Sequence, residues 1–333
     1  MGLFQQPANF IERGYLFMAK VNTVLGPIDT GDLGFTLMHE HLLCAFPYAV
    51  TEYPDILVPN VLEYVVAKLK RAKAGGVNTV VDMTTLDLGR DINFIKEASK
   101  QSGVNIIACT GWWLDVPRFV SGIMGSVTAA QMADAFVREI DKGIGDSGIK
   151  PGVLKSASDV GGVTPPQEMA LRAVAKAHLK TGVPIVIHSY HPGQVAKEQI
   201  NILKDEGVNL KNVKVDHCND TTDVEYLEWI LKQGCYLGLD RYPGRMVSPR
   251  SRTKTLKALI DDGYIDRLCP SHDCILSYVL PAGITTEQYE VLNPHRYLYL
   301  KNVVFPWLKE MGVPEAKINQ LCVIGPRNFL EGK

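Results

Sequence analysis

The chain has 333 residues, 46% of them hydrophobic and 21% charged, with a mean hydropathy of +0.00, the profile of a globular protein with a sizeable core. A net charge of −1 and a pI near 6.7 exclude the electrostatic footprint of a nucleic-acid or anionic-membrane binder and leave a small neutral molecule as the expected partner. Seven dispersed cysteines without a C-x-x-C pair read as reduced thiols of a cytoplasmic protein, not as a disulfide framework.

In chain order, residues 1–20 carry Gln5, Gln6, Asn9, Glu12 and Arg13 and never build the apolar stretch of a secretory signal. They read as an N-terminal extension, with Met18 a possible start, ahead of one domain over residues 21–333. No apolar run is long enough to span a bilayer. The first predicted strand, Phe35 to His41, alternates so that His39 and His41 share one face and Glu40 takes the other. Further strands are predicted at Val77–Met83, Asn105–Thr110, Gly152–Ser156, Pro184–His188, Val213–His217, Cys235–Leu239 and Arg267–Asp273. Helical periods fall at Val61–Ala74, Ile92–Gln101, Ala129–Lys142, Pro166–Thr181, Gln194–Glu206, Val224–Gln233, Ser251–Asp262 and Tyr299–Met311. Several end on a glycine just before the next strand, as at Gly103 and Gly182, the residue type that closes a helix.

Eight alternating units predict a single-domain (β/α)8 TIM barrel, with a doubly wound open sheet as runner-up. The open sheet would carry a nucleotide motif, and no G-x-G-x-x-G or Walker sequence follows any strand.

The rare polar residues fall at C-terminal strand ends, the face where barrels place their chemistry. His39 and His41 close strand 1, Lys155 nears the end of strand 4, and His188, His217 and Asp273 end strands 5, 6 and 8. Singly, each reads as a core histidine, a helix cap or a surface lysine. Jointly, five otherwise apolar strands place metal-competent groups on one rim. His178, His191 and His272 are not needed as ligands, and Asp82 and the Gly89-Arg90-Asp91 turn read as loop-orienting or capping groups. Four histidines and one carboxylate suffice for two divalent cations if something bridges them. A neutral lysine amine that adds carbon dioxide becomes an anionic, two-oxygen carbamate, and Lys155 is the lysine among the strand-end set.

In order along the chain, Met38-His39-Glu40-His41, Gly152-Val153-Leu154-Lys155, Ile187-His188, Asp216-His217-Cys218, Gly238-Leu239-Asp240-Arg241 and Ser271-His272-Asp273 resemble the motifs of the phosphotriesterase family of the amidohydrolase superfamily. The resemblance runs from about Val24 to Phe329. It implies a binuclear site with His39, His41 and Asp273 on a more buried metal, His188 and His217 on a more exposed one, and carboxylated Lys155 between them. It also implies zinc, with cobalt, manganese or iron as substitutes, and a homodimer. Water activated between the cations would attack an ester, with Asp273 shuttling the proton.

The stretch Gly238 to Tyr242 resembles the lactonase branch, so an N-acyl-homoserine lactone is the first substrate expected, with weak organophosphate hydrolysis beside it. Trp112 and Trp113 are candidate pocket walls, and Arg241, Tyr242 and Tyr278 further substrate contacts. The segment from Cys274 to Tyr299 reads as a long apolar loop over the metals. An alternative takes Arg241, Arg245, Arg250 and Arg252 as a phosphate grip for a sugar-phosphate lactone. A dedicated phosphotriesterase or carboxylesterase, and a metal-free binding barrel, are the remaining readings.

Overall fold

A computed structural model describes residues 19–114, 127–244, 246–278, 288, 290–291 and 293–333. Among the described residues, eleven strands form: β1 Lys20–Thr23, β2 Gly26–Asp29, β3 Thr36–Cys44, β4 Thr79–Asp82, β5 Asn105–Gly111, β6 Val153–Ala157, β7 Ile185–His188, β8 Val213–Asp216, β9 Tyr236–Leu239, β10 Leu268–Pro270 and β11 Ile275–Tyr278. From β3 to β9 each strand pairs in parallel with the next, β10 pairs with β9, and β11 pairs with β3.

Because β10 and β11 are halves of one stretch, the sheet closes on itself as a (β/α)8 barrel. Backbone bonds carry the closure through the break: Ser271 N–H donates to Leu239 O (3.3 Å), Asp273 N–H to His39 O (3.1 Å) and His41 N–H to Cys274 O (3.2 Å). The eighth strand predicted as Arg267–Asp273 is thus shorter and split. Asp273 adopts φ 49°, a left-handed conformation that interrupts an extended strand. The apolar residues after it begin not as a loop but as β11, where Leu276 is buried.

Alternation divides the hydrocarbon into two layers. Val81, Ile107, Val153, Val186 and Cys269 fill the barrel interior. Val80, Ile106, Leu154, Ile185 and Val215 face the surrounding helices. Helices Val61–Ala74 and Ala129–Lys142 keep their predicted bounds, and Asp91 caps the helix Ile92–Ser102 by accepting from Asn93 N–H and Phe94 N–H. The predicted helix Tyr299–Met311 is a π-helical turn, Leu300–Val304, running into Phe305–Glu310.

Two elements absent from the sequence reading close the N-terminal end of the barrel. The β1–β2 hairpin and the turn after it contribute Val21 and Leu33 to the inner layer, and the helix Gly325–Leu330 contributes Phe329 and Leu330. Among the described residues no helix is long and apolar enough to cross a membrane. All seven cysteines are free thiols.

Candidate metal centre

The C-terminal end of β3 builds the inner half of the site. Its register against β4 shifts between Leu37 and Glu40, and there the strict alternation skips, so Met38 and His39 both turn inward. Glu40 points the other way and clamps the break in the eighth strand. Its carboxylate accepts from Ser271 Oγ–H (2.7 Å), His272 N–H (3.0 Å) and Cys274 N–H (3.0 Å). That clamp brings Asp273 Oδ1 to 3.4 Å from His39 Nε2 and 3.3 Å from His41 Nε2, close enough for the three to share one cation.

The outer half comes from β6, β7 and β8. His217 also holds a positive φ, 66°, kept by its N–H donating to Asp240 Oδ1 at 2.8 Å; such strain gathers where function fixes a side chain. Its Nε2 stands 2.7 Å from His188 Nδ1. Between the halves, Lys155 is buried with no hydrogen-bond partner at Nζ, which lies 3.7 Å from Asp216 Oδ2. Gly111 makes room beside it: a Cβ there would stand 1.9 Å from Lys155 O.

Each imidazole has one nitrogen tied to the protein and the other aimed into the site. His39 Nδ1–H donates to Asp216 Oδ2 (2.6 Å) and lies 3.0 Å from Asp240 Oδ2. His41 Nδ1 meets Thr84 Oγ1 (2.8 Å), His217 Nδ1 meets Asp240 Oδ1 (3.0 Å), and His188 Nε2 lies 3.6 Å from Asp159 Oδ2. Outward tethers of this kind set tautomer and ring direction in metal sites. Burial pushes His188 and His217 below the ordinary imidazole range, toward the neutral ligand form. Burial likewise lowers Lys155, against the pull of Asp216. Burial alone would raise Asp273, but His39, His41, His217 and Arg241 hold it well below the usual carboxylate range. Four imidazoles, a carboxylate and a buried lysine amine form a donor set that fits divalent cations.

The structure therefore brings His39, His41, Lys155, His188, His217 and Asp273 to one rim. The expected substrate contacts divide. Trp113 faces the site, its Nε1–H 3.5 Å from His188 Nδ1, whereas Trp112 packs against the outer hydrocarbon layer. Arg241 donates through Nε to Asp273 Oδ2 (3.1 Å) and through a terminal nitrogen to Asp220 Oδ2 (2.5 Å). Tyr242 is buried, with Arg241, Met246, Asp273 and Asn293 around a pocket of about 580 Å³. The side chain of Tyr278 lies outside the described residues, as do Arg245, Val279, Leu280, Ile284 and Tyr289. Asp159, Asp216, Asp240 and Thr84, the tethers, were not singled out from sequence. Asp216 and Asp240 adjoin His217 and Arg241 in motifs that were, and a carboxylate on an apolar strand is the signal that marks them.

A family model described as "Phosphotriesterase family" matches residues 19–330. A "Phosphotriesterase homology protein" of Mycobacterium tuberculosis is 38% identical over 325 residues, covering 94% of this chain and 98% of that protein. An "Aryldialkylphosphatase" of Saccharolobus solfataricus is 34% identical over 312 residues, covering 91% and 96%. A solved structure titled "Structure of the phosphotriesterase from Mycobacterium tuberculosis" superposes with a TM-score of 0.87 at 37% identity, covering 94% of this chain and 98% of that one.

Proposed function

The chain belongs to the phosphotriesterase family and is a metal-dependent ester hydrolase, and from that premise we propose that it is a binuclear lactonase. Its first substrates are N-acyl-homoserine or related lactones, with weak organophosphate triester hydrolysis as a side activity. The observation that carries this reading is the tethering of four imidazoles around the buried Lys155 amine, which has no hydrogen-bond partner.

When bound, two divalent cations, zinc first, supply activated water and polarise the ester oxygen. His39, His41 and Asp273 would hold the inner ion, and His188 and His217 the outer one. Lys155, its amine pushed toward the neutral form by burial, could add carbon dioxide, releasing one proton to water, and as a carbamate would help to hold both ions. Asp273 is ionised and aimed by Arg241, so it takes the proton from attacking water and passes it to the leaving alkoxide. The side activity is supported by the aryldialkylphosphatase relative, since both reactions put charge on the same oxygen.

The pocket over Asp273 has Arg241 at its polar end and Pro243, Gly244 and Met246 along its wall, which suits an ester with an apolar substituent. The sugar-phosphate alternative has less support. Arg252 is fully buried and donates to Asp220 Oδ1 (2.8 Å) and Asn219 O (2.6 Å). Arg250 stacks on Trp307 at 4.9 Å. Seven free cysteines fit the reducing cytoplasm, and the homodimer is part of the same reading.

The test is metal analysis of the parent and Lys155→Ala, with turnover of long-chain acyl lactones, phosphorylated sugar lactones and a paraoxon-like triester. The parent should carry about two ions per chain and prefer the acyl lactones, and Lys155→Ala should lose both properties. Lactone hydrolysis by Lys155→Ala at the parent's rate overturns the binuclear mechanism. Preference for the phosphorylated lactone overturns the substrate.

A further inference from the structure

Beneath the rim, β8 carries a lysine in the barrel's hydrocarbon interior. Val213 and Val215 face the helices, so alternation turns Lys214 and Asp216 inward. Lys214 is fully buried at 0% exposure, and its ammonium pairs with Asp216 Oδ1. A buried pair of this kind often adds no stability over hydrocarbon of the same volume. Its presence calls for another account.

The other oxygen of Asp216 supplies one. Asp216 Oδ2 accepts His39 Nδ1–H at 2.6 Å, while Asp240 Oδ2 stands 3.0 Å from the same nitrogen. Two carboxylates thus converge on a single N–H in a buried site, where their mutual repulsion is strong. The backbone is shaped to admit them: a Cβ on Gly238 would lie 2.1 Å from Asp216 Oδ1 and 2.8 Å from Asp240 Oδ2. The Lys214 ammonium offsets that repulsion from the far side of Asp216. Without it, Asp216 has reason to swing from His39.

We propose that Lys214 and Asp216 are a positioning pair: Lys214 anchors Asp216, Asp216 fixes the His39 ring through Nδ1, and His39 Nε2 is thereby directed toward Asp273 and the inner cation. Asp216 Oδ2 also lies 3.7 Å from Lys155 Nζ, so the same anchor restrains the bridging lysine. The inference rests on the binuclear reading above. Neither residue is assigned contact with substrate.

The experiment compares the parent with Lys214→Met, Asp216→Asn and the double variant Lys214→Met/Asp216→Asn. Each is loaded with cobalt(II), and its metal affinity is read by chelator competition, its metal geometry by visible absorption, and its fold by thermal melting. The parent should hold two ions. All three variants should bind one of them about 10–100-fold more weakly, the range for loss of a tether behind a metal ligand, with an altered cobalt spectrum. The double variant should melt closer to the parent than Lys214→Met does, because it leaves no unpaired buried charge.

A double variant that regains the melt together with the parent's affinity and spectrum makes the pair merely structural and overturns the proposal. Single variants that fold and bind both ions as the parent does overturn it too. A parent that binds no stoichiometric cobalt removes the binuclear reading itself, a different failure.

Discussion

The two halves of the metal centre are built to different standards. The inner half draws His39, His41 and Asp273 from two adjacent strands whose break is clamped by Glu40, and its imidazole tethers are 2.6 and 2.8 Å long. The outer half draws His188 and His217 from the ends of β7 and β8. Behind His188 stands a carboxylate at 3.6 Å, on the half-buried loop residue Asp159, while the Trp113 indole N–H approaches its Nδ1 from the site side at 3.5 Å. The inner half is held by short tethers throughout, whereas the outer half rests in part on the loop bearing Asp159, and loops are where a barrel varies what it binds. In the mechanism proposed above, the short-tethered half holds the chemistry and the looser half faces the choice of substrate.

The hardest blow to that contrast falls on Asp273. Asp273→Asn should cut kcat by ~10²–10⁴, the span for loss of a positioned acid–base group, with KM little changed. A comparable loss in KM alone would make Asp273 a substrate-binding group.

Acid should next loosen the brace beneath the outer half. His191 is buried, its Nε2 2.7 Å from Asp216 O, and burial pushes its imidazole down to about 4 from 6.5. Its folded value lies below its unfolded one, so its contribution is present above the unfolded value and lost as pH falls from 6.5 toward 4. The loss is about 3 kcal/mol at ~1.4 kcal/mol per unit. Denaturant melts of chelator-treated protein across that window should be steeper in pH for the parent than for His191→Gln. Equal slopes would remove His191 from the account.

Smaller effects separate the two halves directly. Asp240 touches both His39 and His217, so Asp240→Asn should weaken both ions by about 10–100-fold. Asp159→Asn should weaken the outer ion alone, by a few-fold at most, since its contact is long and half exposed. Equal losses at both ions in Asp159→Asn would erase the distinction between the halves.

That the four histidines meet on one rim was legible in the sequence because histidines are rare and a strand of period two states which of its neighbours share a face. His39 with His41, and His188 and His217 at apolar strand ends, needed only that rule and the barrel's polarity. What was illegible depends on distance along the chain. Glu40 clamps Ser271 and His272, and no local pattern announces that a carboxylate will serve a strand break more than two hundred residues away. Without that clamp, Ile275 and Leu276 look like the start of a loop. Lys214 and Asp216 were hidden for the opposite reason: a charged pair two apart in a strand reads as a solvated face, and only closure of the barrel turns it inward. Arg252, offered as part of a phosphate grip, instead lies fully buried on Asp220.

The split eighth strand also orders events during synthesis. One edge of the sheet is β3, and the segment that covers it, β11, is made more than two hundred residues later. While the ribosome extends the chain, the strand bearing His39 and His41 therefore presents an open edge, a template for pairing with other chains. Neither the inner metal triad nor a sealed sheet can form until Asp273 and Ile275 have emerged. A nascent chain halted before them carries most of the barrel and none of its protection.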